Sequence, residues 1–416
     1  MRSSALCPLA AFIGLQHGAS AIHVAERRSS RAPNVEAVEA FSFEDFVSKF
    51  NRSYSAGTPE WSDREAVFAE RKQDVLAFLR GPERSWTKGI TQFADYTESE
   101  YKAVLGYKGR RSSASAEAPG AAFARERKWS YPAEFTVRHE TRKLTEIVRN
   151  QGGCGSCWAE AATATLEGQM EANATMVAHL REVLDGMGKT SQHPTLSSQA
   201  MVSCTKNERN CGGSGGCDGA TVELAYEMIK ERGGIPMAIE WPYESGFGST
   251  PECKDHVFQK AAIGITGYEV LPANKLHPLM QALYESGGAI AVSVDATFWG
   301  MYSGGIFSDT SGIRKGDFRL NHAVTLVAYQ TPKKEATGKL TMGYWMIKNS
   351  WGQQWGERGF IRLEMKENEQ DHCGWDRQTH KGLACDGDPD EAWVCGTCGI
   401  LYDSVYPTGV HLIDPA

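Results

Sequence analysis

An eight-residue stretch, Gln151-Gly152-Gly153-Cys154-Gly155-Ser156-Cys157-Trp158, constrains this chain more than any other. Its glycines make a turn, and the turn runs straight into Ala159 to Met170, an alanine-rich series of good helix formers. Cys157 therefore stands at a helix N-terminus, where the open N–H groups and the positive end of the dipole favour thiolate over thiol. The thiolate is the reactive form, so the placement reads as a nucleophile. Cys154 to Cys157 also form a C-x-x-C pair, the pattern of a thiol–disulfide oxidoreductase or of half a zinc site. The flanking Gln151 and Trp158 suit neither alternative.

A thiol that cleaves acyl groups needs a base, a group to orient that base and donors for the developing oxyanion. In Leu320-Asn321-His322-Ala323-Val324, His322 opens an apolar strand; in Tyr344 to Gly352, Asn349 ends the next strand and is followed by Ser350-Trp351-Gly352. With the cysteine signature ahead of them, these motifs resemble the papain-like cysteine peptidases. The resemblance continues through Leu196-Ser197-Ser198-Gln199, Cys204, Gly216-Cys217-Asp218-Gly219 and the tail Cys398 to Pro407.

That resemblance implies an α+β fold of two domains, a helical half carrying Cys157 and a barrel-like β half carrying His322, with a cleft between them. It implies His322 as general base and acid, Asn349 as the group that fixes the imidazole, and Trp351 as its cover. Gln151 would donate its side-chain amide to the oxyanion beside the Cys157 backbone N–H. Substrate would lie extended against Gly219, although Ala220 stands where a second glycine is usual. Val222, Ala323 and Asp403 would line the pocket for P2, the second residue on the amino side of the cut. An acid at position 403 implies tolerance of arginine or lysine there as well as apolar residues.

Upstream, Ser42 can cap a helix carrying Phe43, Phe46 and Phe50, and Thr58-Pro59-Glu60 announces a second helix reaching about Arg80. Glu60, Arg64, Phe68 and Val75, with Phe93 and Asp95 further on, resemble the inhibitory propeptide of the same family. Residues 22–40 read as polar and loose. The expected organisation is a signal peptide at 1–21, with charged, apolar and small-residue regions, an inhibitory propeptide at 22–105, an activation linker at 106–127, and the peptidase domain at 128–416. The Gly, Ser, Ala and paired basic residues of the linker suit proteolytic nicking, and the mature chain would start near Lys128 to Pro132. Downstream of the nucleophile helix, Thr175 to Pro194 could extend it through Met176, Leu180 and Leu184.

A signal peptide sends the chain to the secretory pathway, to a lysosome or vacuole or to the outside, where cysteines form disulfides. The resemblance implies Cys154–Cys217 and Cys204–Cys253. Of the 11 cysteines, Cys7 leaves with the signal and Cys157 must stay reduced, so at least one more thiol is left over. The usual partner of Cys398 is missing, because Phe307 to Asn321 holds no cysteine. An insertion at about 366–394 brings Cys373 and Cys385, close to Cys395, His372 and His380; disulfides are the expectation there over zinc. No metal and no cofactor are expected. A net charge of −7 argues against a nucleic-acid binder. No stretch after the signal approaches the roughly 18 apolar residues of a membrane span. The partners are thus peptide or protein substrates and the chain's own propeptide. A cysteine endopeptidase made as a zymogen is the leading reading; a catalytically silent binding protein of the same fold is the alternative.

Overall fold

The computed structural model describes residues 34–107, 129–138, 143–308 and 317–413. The expected signal segment and residues 108–127 of the linker lie outside these.

The chain opens with helix Val35–Ala40, where the sequence suggested loose chain; Asn34 caps it by accepting from Ala37 N at 2.6 Å. Val38 is buried against Val75 and Leu76, and that apolar contact stabilises a helix too short to hold by itself. Helix Phe43–Lys49 follows, with Ser42 and Asp45 forming a reciprocal capping box. Helix Pro59–Arg80 has the expected bounds, with Thr58 as cap and proline in the first turn. A cluster of Phe43, Phe46 and Phe68, with Trp61 against it, ties the two together. Buried Asp95 binds Arg52 and Tyr54 at 2.7 and 2.8 Å, so the turn after the long helix is fastened to the first helices.

This region is joined to the β half by the sheet itself. Among the described residues the sheet runs Trp86–Lys88, Tyr302–Phe307, Phe360–Met365, Gly343–Lys348, His322–Gln330, Ile290–Val294, Ser404–Thr408, Gly267–Val270. Its edge strand Trp86–Lys88 is antiparallel to Tyr302–Phe307, and Trp86 packs against Phe307. The central strands are buried on both faces and read as largely apolar runs, with Ser293, His322 and Thr325 as their buried polar residues.

The helical half is built on Cys157–Glu171, which is buried at every residue except Gln169. The segment after it does not extend this helix. It ends at Ala172, and Asn173 caps a separate helix, Ala174–Gly186, by accepting from Met176 N at 3.3 Å. An asparagine side chain that satisfies a free helical N–H competes with continuing the turn.

Among the described residues four disulfides join Cys154 to Cys217, Cys204 to Cys253, Cys211 to Cys385 and Cys373 to Cys395. Cys157 and Cys398 are outside them. Because Cys373, Cys385 and Cys395 are all spent in cystines, none is a thiolate ligand for zinc. Among the described residues no helix is long and apolar enough to cross a membrane.

Candidate active site

Cys157 is the first residue of the buried helix, and Ser156 and Gln151 before it are pinned by one side chain. The Tyr243 hydroxyl lies 2.7 Å from Ser156 Oγ and donates to the Gln151 carbonyl at 2.9 Å. Strand His322–Gln330 crosses in front of that helix, and Ala323 N donates to Cys157 Sγ at 3.2 Å. Ala323, expected in the substrate pocket, therefore also holds the sulfur.

The imidazole is oriented by a chain of donors. Ser350 N–H can only donate, and it donates to Asn349 Oδ1 at 2.8 Å, which fixes the amide. The same oxygen lies 2.8 Å from His322 Nε2, so that nitrogen carries the hydrogen. Nδ1 is left as the basic atom and bonds no described residue. The Trp351 ring covers the pair, with its centroid 4.8 Å from that of His322. Burial holds His322 down at about 4, against which the Asn349 bond acts in the other direction.

Gln151 is buried, and Ser350 Oγ donates to its Oε1 at 2.6 Å, turning Nε2 toward the cleft. There Nε2 donates to the Val104 carbonyl at 2.7 Å and to the Cys154 carbonyl at 2.8 Å. Val104 ends helix Glu98–Val104 of the propeptide region, so the expected oxyanion donor is occupied by the chain's own backbone.

The next residues continue across the thiol. A Cβ on Gly106 would fall 2.2 Å from Cys157 Sγ, and one on Gly219 would fall 2.1 Å from the Gly106 carbonyl. Tyr107 then enters a pocket: its N–H donates to Asn321 O at 3.2 Å, its hydroxyl lies 2.9 Å from Ser293 Oγ, and it is 3% exposed. Gly106 and Tyr107, assigned to the linker by composition, are thus buried in the cleft. Composition reports how polar a segment is, not what it is pressed against.

At the floor of this pocket Ser293 Oγ donates to Asp403 Oδ2. Burial, and next the charge of Glu223, push the Asp403 carboxyl well above the usual range. Val222 is buried in the same apolar cluster as Tyr107 and Ala220.

A charged layer beneath the site escaped sequence reading. Arg149 pairs with Glu167 and lies 3.4 Å from Glu160, and burial raises Glu160 to about 7 while Arg149 opposes that rise. Lys348, two residues before Ser350, is driven down to about 8 by burial. The available signal was the spacing of Glu160, Glu167 and Glu171 at i, i+7 and i+11, a carboxylate stripe on one face of an otherwise apolar helix.

The propeptide region grips the β half next to the histidine. Phe93 and Tyr101 stand edge-on to Trp351 with centroids 4.9 and 5.8 Å away, and Gln92 Nε2 donates to Trp351 O at 2.5 Å. Tyr101 donates to Ala296 O at 2.7 Å and Thr91 to Gly300 O at 2.6 Å.

Two lobes, a thiol held on one and an imidazole on the other, with an N-terminal segment through the cleft, define the precursor of a cysteine protease. The comparisons give the family. Residues 131–383 match the papain family cysteine protease model and residues 43–101 the cathepsin propeptide inhibitor domain. Rat procathepsin L is 30% identical over 79% of this chain and 87% of its own, and rat cathepsin J 29% over 84% and 93%. A recombinant stem bromelain precursor has 28% identity and a TM-score of 0.58, covering 88% of this chain and 97% of its own. A procathepsin L2 of Tenebrio molitor larval midgut, at 23% identity and TM-score 0.61 over 88% and 98%, shares the fold. This chain belongs to the papain family of cysteine proteases and carries its propeptide inhibitor domain.

Proposed function

We propose that this protease is a zymogen whose mature form hydrolyses internal peptide bonds through Cys157 and His322. Proton transfer from Cys157 to His322 Nδ1 gives a thiolate and an imidazolium. The thiolate attacks the scissile carbonyl, forming the C–S bond, while Gln151 Nε2 and the Cys157 N–H receive the oxyanion. The imidazolium gives its proton to the leaving amine as the C–N bond breaks. Water then attacks the thioester, His322 takes its proton, and the acid leaves as the C–S bond breaks. Asn349 keeps the imidazole turned so that Nδ1 faces the chemistry.

The observation that supports this most is the extended backbone over Cys157, with the Val104 carbonyl on the Gln151 amide. A peptide already occupies the cleft, and it directly follows residues 43–101, which match an inhibitor domain. Cleavage in the segment 108–127 would release it. Asp403 and Glu223 at the pocket floor favour a P2 pocket that admits apolar residues and, when a carboxyl is ionised, arginine or lysine. The disulfides and the N-terminal segment support a secretory destination, lysosomal, vacuolar or extracellular.

The test is hydrolysis of fluorogenic dipeptides with leucine or arginine at P2 by acid-activated wild type and Cys157→Ala. Activity in the wild type alone is expected. Silence in both after verified cleavage would instead favour a binding protein that retains the fold.

A further inference from the structure

The hairpin Cys373–Asp376 with Ala392–Cys395 is closed by its own cystine and stands on the β half. Phe318 N donates to Trp375 O at 2.8 Å and Leu320 N to Asp376 Oδ2 at 3.0 Å, and Phe318, Leu320 and Val394 form one buried cluster. From this base the chain between the two strands leaves the β half. Asp386 N donates to Arg209 O at 2.7 Å, Asn210 Nδ2 to Asp386 Oδ2 at 2.7 Å, and Gly212 N to Ala384 O at 3.2 Å. The Cys211–Cys385 bond makes the attachment to the helical half covalent.

The two attachments are the two walls of the pocket that holds Tyr107. On the β side, a Cβ on Gly382 would lie 2.3 Å from the Leu320 carbonyl, and the next residue, Asn321, binds the Tyr107 N–H. On the helical side, a Cβ on Gly212 would lie 2.9 Å from the Tyr107 ring. Three residues, Gly382, Leu383 and Ala384, therefore cross from wall to wall, a span of at most roughly 10 Å. Leu383 packs against apolar clusters of both halves. Along the cleft the order is the Gln151 amide, the thiol, the Tyr107 pocket and then this crossing.

We infer that residues 382–386, held by Cys211–Cys385, are a strap that sets specificity on the amino side of the cut. It rests on the Cys157–His322 peptidase reading above and narrows it, from internal bonds in general to bonds two residues from a chain's amino terminus. A substrate whose P2 residue fills the Tyr107 pocket meets the strap with its third residue, P3. The enzyme accordingly prefers substrates with two residues on the amino side over the same sequence extended further. Opening the strap relieves that preference, because the walls no longer share a covalent tie.

The test compares kcat/KM for a dipeptidyl fluorogenic substrate with that for the same sequence extended by two bulky residues. The proteins are wild type, Cys211→Ser/Cys385→Ser and Leu383→Ala, the last keeping the cystine should the double variant fold poorly. The ratio of extended to short substrate is expected to rise roughly tenfold when the strap is loosened, the scale of one relieved steric contact. A ratio unchanged in both variants, with the short substrate still cleaved, overturns the strap. Failure of the peptidase reading shows separately, as no hydrolysis of either substrate by wild type. In that event the affinities of Cys157→Ala for the two peptides, read by fluorescence anisotropy, carry the same expected ratio.

Discussion

Gly106 lies so close to Cys157 that a single methyl on its Cα would stand 2.2 Å from the sulfur and 2.7 Å from the Gly155 carbonyl. The inhibitory segment covers the thiol with backbone, at the one place where a side chain has no room. Replacing Gly106 by alanine must push the segment away from Cys157, since the neighbours are a sulfur and backbone atoms rather than a flexible side-chain tip. The propeptide supplied in trans to the mature enzyme should then inhibit at least about tenfold more weakly, equivalent to the loss of ~1.4 kcal/mol. Inhibition constants for wild-type and G106A propeptide check it.

Covering the cleft also sets a proton equilibrium. His322 sits near 4 while the segment is docked and would return toward the ordinary value near 6.5 once water reaches it. A histidine whose docked value is lowered favours docking fully above about 6.5, and that preference is lost as pH falls toward about 4. The weakening reaches at most ~3 kcal/mol over that window. Propeptide affinity measured from pH 7 to pH 4 in Cys157→Ala should fall with acid, and Cys157→Ala/His322→Gln should show a distinctly flatter profile.

The P2 pocket carries its own pH dependence. Asp403 is raised well above the usual carboxylate range, so it is neutral in acid and ionises as pH rises. The arginine-to-leucine ratio at P2 should therefore increase with pH in the mature enzyme. In Asp403→Ala that ratio should fall and lose most of its pH dependence. An unchanged ratio in the variant would remove Asp403 from the account of specificity.

The disulfide pattern predicts which cysteines react. Cys157 and Cys398 are the two described cysteines outside cystines, and the Cys398 sulfur is buried and accepts from Trp299 Nε1 at 3.4 Å. Alkylation of the mature protein under denaturing, non-reducing conditions should label these two and leave Cys211, Cys373, Cys385 and Cys395 unlabelled. In native buffer Cys157 should be labelled far faster than Cys398. Peptide mass mapping reads both results.

Asn349 acts only through His322, so its removal should cost turnover rather than the site itself. Asn349→Ala is expected to lower kcat by about 100- to 1000-fold, within the range general acid–base catalysis contributes, with a smaller change in KM. Its acid limb should shift relative to wild type, a readout that simple destabilisation would not produce.

Local chemistry settled a good deal in advance. The bounds of Pro59–Arg80 follow from Thr58 and Pro59, and the helix behind Cys157 from its alanines, because caps and propensities act over a few residues. His322, Asn349 and Gln151 were expected as a set from the resemblance of their short stretches to the papain-like peptidases, and the structure places His322 against Asn349 and Ser350 against Gln151. The break at Asn173 and the helix at Val35 were not, because each turns on a contact or cap that competes closely with the alternative.

Short stretches of sequence were thus enough for most local elements and for the order of the candidate reacting groups along the chain. The packed fold set which residues meet across long separations. Gly106 against Cys157, Asp403 beside Glu223, and Cys211 bonded to Cys385 at a separation of 174 residues are all of that kind. Such contacts depend on how the two halves pack, and packing is fixed by the sum of many weak interactions that no short stretch of sequence encodes.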